Sequence, residues 1–411
     1  MLLSKLQNKT PTLSENIEFN KLKEGTYILS NQKYRHYLKI NKETYDLLNL
    51  VDGNKKLIEI QKLFNDSYGK QIRLEQLESL LYKKLSKYGV LKGDEEKIKP
   101  YQKPTYLKLS FIIFNERLVS KIVKYFSFLF KPKVALFLII SCVLATIILG
   151  ILNFDAYKSF NLQESLVYFF IIMAVSGTFH EFGHASSAHF FGAKHGGIGG
   201  GFYLFTPVYY ADVTDIWRLS KWQRIVVNLS GMYFELIFCT FIALFGFFTN
   251  NFVLTVLAIF VCANTLFNLN PFLRSDGYWV LSDLTNKPNL LYHSLDKVKD
   301  FYKVMKGNSV KWNKTDLLLF IYGFISYGII ILFLYYMLYQ NPNSILNFPK
   351  NAIQFIKSIL DKSQEVTLAK YGELIVPLIF YYLLFNLLKV GVKKGIKKIR
   401  LATPYKHNKG L

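Results

Sequence analysis

The chain has 411 residues, 51% of them hydrophobic, yet it carries 51 Lys and Arg against 28 Asp and Glu, a formal net charge of +23. That combination excludes an ordinary soluble globular protein, because apolar runs must be segregated into lipid and basic stretches beside an anionic leaflet. Nucleic-acid binding is not expected either, since the basic stretches flank apolar segments and no nucleic-acid motif occurs.

Residues 1–19 read as an N-terminal tail without the apolar core or small-residue cleavage site of a secretory signal. Residues 20–95 read as a small α+β domain. Thr26–Leu29 and Tyr34–Ile40 can pair as strands. Tyr45, Leu48 and Val51 stand at helical spacing, Asp52-Gly53 is a turn signal, and two further amphipathic helices contain Leu57, Ile60, Leu63 and Phe64, then Leu74, Leu77, Leu81 and Leu85. Gly89 stops the last helix and Val90-Leu91 can return as a strand. Three short helices with flanking strands suggest a winged-helix-like module.

Residues 96–133 form a basic, aromatic connector. Leu107 to Phe130 mixes Phe, Ile and Leu with Lys and Arg, as a membrane-surface helix does, and a solvated linker fits as well. Spans of about 20 apolar residues then fall near Val134–Leu152, Leu166–Phe191, Ile225–Phe248, Val253–Leu269, Leu317–Leu338 and Leu374–Val390. About six membrane helices are thus expected over residues 134–391, followed by a basic tail at 392–411. Basic and less basic loops alternate, which places both termini in the cytoplasm. Cys142, Cys239 and Cys262 lie within apolar runs and read as small buried hydrophobes.

The second span carries His180-Glu181-Phe182-Gly183-His184. Histidines four apart on a helix stand one turn above the other, so both imidazoles can reach one zinc ion. Glu181 lies about 100° round the helix and can take a proton from water without being a ligand. Ionisable groups inside an apolar span are expensive unless paired or functional. A zinc hydrolase needs a third protein ligand. His189 is nine residues from His180, about 900° of rotation, and so on the opposite face; His195 reads as a loop residue. Asp276 is the better candidate. His180 lies 14 residues past Leu166, about 21 Å along the helix and in the cytoplasmic half of the bilayer. The fourth span ends on that side, and Pro271 and Gly277 can turn Asp276 back towards the metal.

A substrate path is drawn past Glu235, Asn268, Gly199 and Gly200. Glu235 either lines that path or is a hydrogen-bonded packing residue. Gly196 to Gly201 with FYLFTPVYY suggests a hairpin or re-entrant strand, whose edge can hold an extended peptide or serve structure alone.

FHEFGHA together with NLNPFLRSDG resembles the site-2 protease family of intramembrane zinc metalloproteases over roughly residues 165 to 290. The resemblance implies a metal site of His180, His184 and Asp276 with Glu181 as base. The chain departs from the usual Leu-Asp-Gly in having Ser275 before Asp276, and it has SGMYFE where many members have a Gly-Pro and Asn. YYADVTDIW and SDGYWVLSDLTNKPNL are similar to the branch of peptide zinc metalloproteases found beside bacterial peptide-maturation genes. YLKINKETYDLLNLVDGNKKLIEI and LSKYGVL resemble PqqD-like domains, which implies capture of a leader peptide as an added strand.

The expectation is therefore an α-helical polytopic protein of a bacterial inner membrane with a site-2 protease-like core and an N-terminal PqqD-like domain. It would be a zinc endopeptidase acting on a ribosomally made precursor peptide, with the lipid bilayer as its other partner and no nucleic acid. Regulated cleavage of a membrane-anchored regulator, or a non-catalytic export or immunity role, are the alternatives. Deleting residues 1–95 is expected to spare zinc binding, weaken precursor capture, and let the rate recover at saturating substrate.

Overall fold

The computed structural model describes residues 8–23, 25–69, 71–93, 96, 98, 107–154, 165–287, 289–361, 374–386 and 388–389. It is mostly helical, with a small N-terminal sheet domain. The chain divides into two compact units, Met1–Gly201 with Val208–Pro288, and Phe202–Pro207 with Asn289–Leu411.

The first unit begins with three antiparallel strands, β1 (Ile17–Lys23), β2 (Thr26–Asn31) and β3 (His36–Asn41), in the order β1-β2-β3. The sequence suggested only the latter two. Strand β1 starts within what read as a tail, and its alternation is broken by an irregularity between Lys21 and Lys23. Helix α1 (Lys42–Asn49) starts at Asn41, whose side chain accepts from the Thr44 amide at 2.9 Å. Helices α2 (Leu57–Tyr68) and α3 (Leu74–Glu78) follow, the latter running on as a wider π turn, Ser79–Leu85. Their apolar faces meet the sheet in one core, in which Leu29, Leu48, Leu57, Ile60 and Leu81 are fully buried. Leu91 makes a single bridge, to Leu13.

The connector corrects the expectation of one surface helix. Lys108–Phe114 is a strand, β4, and helix α4 begins only at Glu116, ending at Phe126. Asn115 sets the boundary by accepting from the Leu118 amide at 2.9 Å. Strand β4 joins β5 (Ile198–Tyr203) and β6 (Thr206–Ala211) in a second sheet of order β4-β5-β6.

Long apolar helices supply the rest of this unit: α5 (Pro132–Leu152), α6 (Leu166–Phe190), α7 (Lys221–Phe248) and α8 (Phe252–Asn264), the last continued by a 3-10 segment to Leu269. Helix α9 (Asp276–Thr285) closes the unit. Helices α6 and α7 touch backbone to backbone: a Cβ at Gly183 would collide with the Ser230 carbonyl. In the second unit, α10 (Leu290–Met305) packs on α11 (Lys314–Tyr335), where a Cβ at Gly323 would lie 2.9 Å from that of Ser294.

Among the described residues, five helices are long and apolar enough to cross a membrane: Pro132–Leu152, Leu166–Phe190, Lys221–Phe248, Phe252–Leu269 and Lys314–Gln340. The expected sixth span is described as a shorter apolar helix, Leu374–Asn386, and at residues 388–389; residues 387 and 390, like the basic tail, lie outside the described residues.

Candidate metal centre

Three elements bring one polar cluster together inside apolar surroundings. Helix α6 contributes His180, Glu181 and His184, all buried. Helix α9 contributes Asp276 from its first turn, where a carboxylate is favoured by the helix dipole. The turn before it folds back on itself: the Phe272 amide donates to the Asn270 side chain at 2.9 Å and the Ser275 hydroxyl to the Asn270 carbonyl at 2.8 Å. Gly277 lies so close to the Leu269 backbone that no side chain fits there.

Helix α7 supports the cluster from behind. The His184 Nδ1 lies 2.7 Å from the Val227 carbonyl oxygen, which can only accept, so this nitrogen carries the proton. His180 Nδ1 lies 3.0 Å from Glu235 Oε2, and the other oxygen of Glu235 accepts from the Ser176 hydroxyl at 3.0 Å. Both Nε2 atoms therefore turn lone pairs inward. They stand 3.1 Å apart, and 3.0 and 3.3 Å from the two carboxylate oxygens of Asp276. The Asp276 Oδ2 finds no well-directed hydrogen bond.

Acceptors converging at such distances in a buried site need positive charge between them. Protonating both imidazoles would set two like charges side by side, whereas one cation serves all three groups. Two donors about 2.1 Å from a tetrahedral zinc stand about 3.4 Å from each other, close to the separations seen here. The donor set, two imidazoles and a carboxylate, is that of a catalytic zinc site with a remaining open position. Gly231 keeps the space clear: a Cβ there would stand 2.5 Å from His180 Nε2 and 2.6 Å from His184 Nε2. His180, His184 and Asp276 can thus hold a metal ion.

Glu181 is buried beside them, and the main chain of Ala211 at the end of β6 faces its carboxylate. Strand β6 is held against the motif helix: the Tyr209 ring covers Gly177, where a Cβ would meet it at 2.9 Å. Ile198, Phe182 and Ala211 share one apolar cluster.

The other residues drawn along a substrate path lie on three elements: the 3-10 segment after α8, strand β5 and helix α7. Asn268 is half-buried in the 3-10 segment after α8. Gly199 and Gly200 are on β5, the central strand, whose edges are taken by β4 and β6, so the free edges of this sheet belong to those outer strands. Glu235 is hydrogen-bonded to His180 and Ser176. Sequence reasoning missed Gly231, Ser176 and the Val227 carbonyl. Gly231 carried one faint signal, a glycine inside a long, mostly apolar helix.

A helical protein with candidate membrane spans and a buried two-histidine, one-aspartate cluster is the class that fold and site define. Over 139 residues the chain is 32% identical to a Bacillus subtilis (strain 168) protein named "Putative peptide zinc metalloprotease protein YydH". The match spans 33% of this chain and 50% of that protein, so the chain covers about half the length of this relative. Its name supports a protease and makes zinc plausible. No family model matches the chain, and no solved structure does.

Proposed function

We propose that the chain is a membrane-embedded zinc endopeptidase of a bacterial inner membrane, with both termini cytoplasmic. The observation that carries this reading is the convergence of His180, His184 and Asp276 around a space that Gly231 keeps open, with Glu181 at its side. Zinc held there supplies a Lewis acid that makes water nucleophilic near neutral pH. Glu181 takes the proton from the attacking water and returns it to the leaving amine. Glu235 and the Val227 carbonyl hold the two imidazoles in the tautomer that presents Nε2. The surrounding apolar helices exclude bulk water and strengthen every charge interaction in the site. The N-terminal domain, in keeping with its resemblance to PqqD-like modules, recruits a ribosomally made precursor peptide. A scissile segment can then pair with an outer strand of the β4-β5-β6 sheet.

Glu181→Gln is the decisive test. It removes the base and keeps all three ligands, so purified protein retains zinc and loses cleavage of a candidate precursor peptide. Full turnover in this variant, read by mass spectrometry of the products, sinks the mechanism.

A further inference from the structure

The N-terminal domain grips the segment that lies against Glu181. Arg35 ends the β2–β3 turn in the left-handed region, with φ of 54°, a conformation strained for a non-glycine residue. Its guanidinium forms a two-pronged pair with Asp212, 2.5 and 3.0 Å long, the strongest geometry open to such a pair. Tyr37 on β3 donates its hydroxyl to Asp215 at 2.9 Å. Burial first, and the Asp215 carboxylate second, push the ionisation of that hydroxyl above the usual tyrosine range, so it stays a donor. Glu18, in cross-strand register with Ser30 and through it with Tyr37, adds a looser pair with Arg218 at 3.9 Å.

Both acids are fastened to the motif helix and its sheet. The Asp212 main chain pairs with Gly196 and Gly197 at 2.6 and 3.1 Å, and Asp212 directly follows Ala211. Asp215 is 1% exposed and accepts from the Lys194 amide, just past the end of α6, and from Arg218, each at 2.7 Å. Just before Asp212, the Tyr209 ring covers Gly177, and Ala211 packs against the apolar cluster that contains Phe182; Gly177 and Phe182 lie either side of the His180-Glu181 pair.

We infer that Arg35 and Tyr37 are positioning residues for the catalytic base: by fixing Asp212 and Asp215 they hold the end of β6 against Glu181. This rests on the reading of Glu181 as base. Its consequence runs against the expectation that the truncated protein recovers much of its rate at saturating substrate. Removing the domain strips both acids of a partner, so kcat falls as well as precursor affinity.

The test uses full-length protein in detergent, with amide exchange over residues 206–218 as a readout that needs no substrate. Arg35→Ala raises exchange there by about tenfold, leaves zinc content at the parent level, and lowers kcat on the same precursor while KM changes little. Exchanging the charges, Arg35→Asp with Asp212→Arg, brings exchange and kcat back towards the parent. Unchanged exchange and kcat in Arg35→Ala overturn the inference even where Glu181→Gln is inactive. Should no protein cleave, the protease reading fails while the exchange result still reports on the grip.

Discussion

Helix α9 carries two acids seven residues apart, about two turns, and therefore on one face towards α7. Their surroundings are opposite. Asp283, at its C-terminal end, is saturated: Arg224 donates to one oxygen at 2.6 Å and Asn228 to the other at 2.9 Å. Asp276, at the N-terminal end, meets two histidine lone pairs and keeps an oxygen without a hydrogen bond. Both are largely enclosed carboxylates that tie α9 to its neighbours. A carboxylate matched with donors is a structural joint, whereas one matched with other acceptors is a place for a cation. Burial alone does not separate the two; the kind of partner does.

The largest expected effect comes from breaking the pair unevenly. Asp276→Ala loses bound zinc and all turnover, because two imidazoles alone leave the ion under-ligated. Asp283→Asn keeps its zinc, but Arg224 loses its counter-charge inside the protein, and thermal stability falls by about 1–3 kcal/mol. Zinc content and melting temperature measured on both variants cross over if the comparison holds. Zinc lost from Asp283→Asn at full stability, or kept by Asp276→Ala, breaks it.

A finer contrast separates the two histidines. His184 is oriented by a backbone carbonyl, which no side-chain substitution removes, and His180 by Glu235. Glu235→Gln can still accept from Nδ1 but loses the negative charge that makes the imidazole a better ligand. Zinc affinity is expected to fall about 10- to 100-fold, read by chelator competition, with activity returning when zinc is raised. An affinity equal to the parent's would leave Glu235 a packing residue.

These supports show where sequence reading stops. The helices were legible because each must bury or expose apolar residues with a local period, and the histidine pair because four residues make one turn. Asp276 was legible because Pro271 and Gly277 mark a turn that ends the fourth span on the motif's side. Strand β4 was not, because FIIF between Lys108 and Arg117 matches an interfacial helix equally well, and only its pairing with β5, distant in sequence, decides for a strand. The sixth span could be read from composition, yet its described part is a short helix. Partners such as His180 with Glu235, or Arg35 with Asp212, are 55 and 177 residues apart. No period links residues at such separations, so which carboxylate orients a ligand and which joins domains had to come from the fold.

The smallest expected effect concerns His189, the histidine that lies on the same helix as the ligands and takes no part in their cluster. Nine residues from His180, it is carried to the opposite face of α6. There its ring stands 6.2 Å from that of His195, and the two line a cavity of about 290 Å³ with Glu116 and Lys194. Among the described residues, the group able to hold a metal is His180, His184 and Asp276, without His189. His189→Ala should therefore leave zinc affinity within about twofold of the parent, since it removes neither a ligand nor a group that orients one. It should also leave the effect of Asp276→Ala unchanged, because the two sites share no partner and their effects then add. Chelator competition on the single and double variants checks both statements. A tenfold loss of affinity in His189→Ala alone would mean that the far face of α6 communicates with the cluster, and that position on the helix is not enough to tell ligand from bystander.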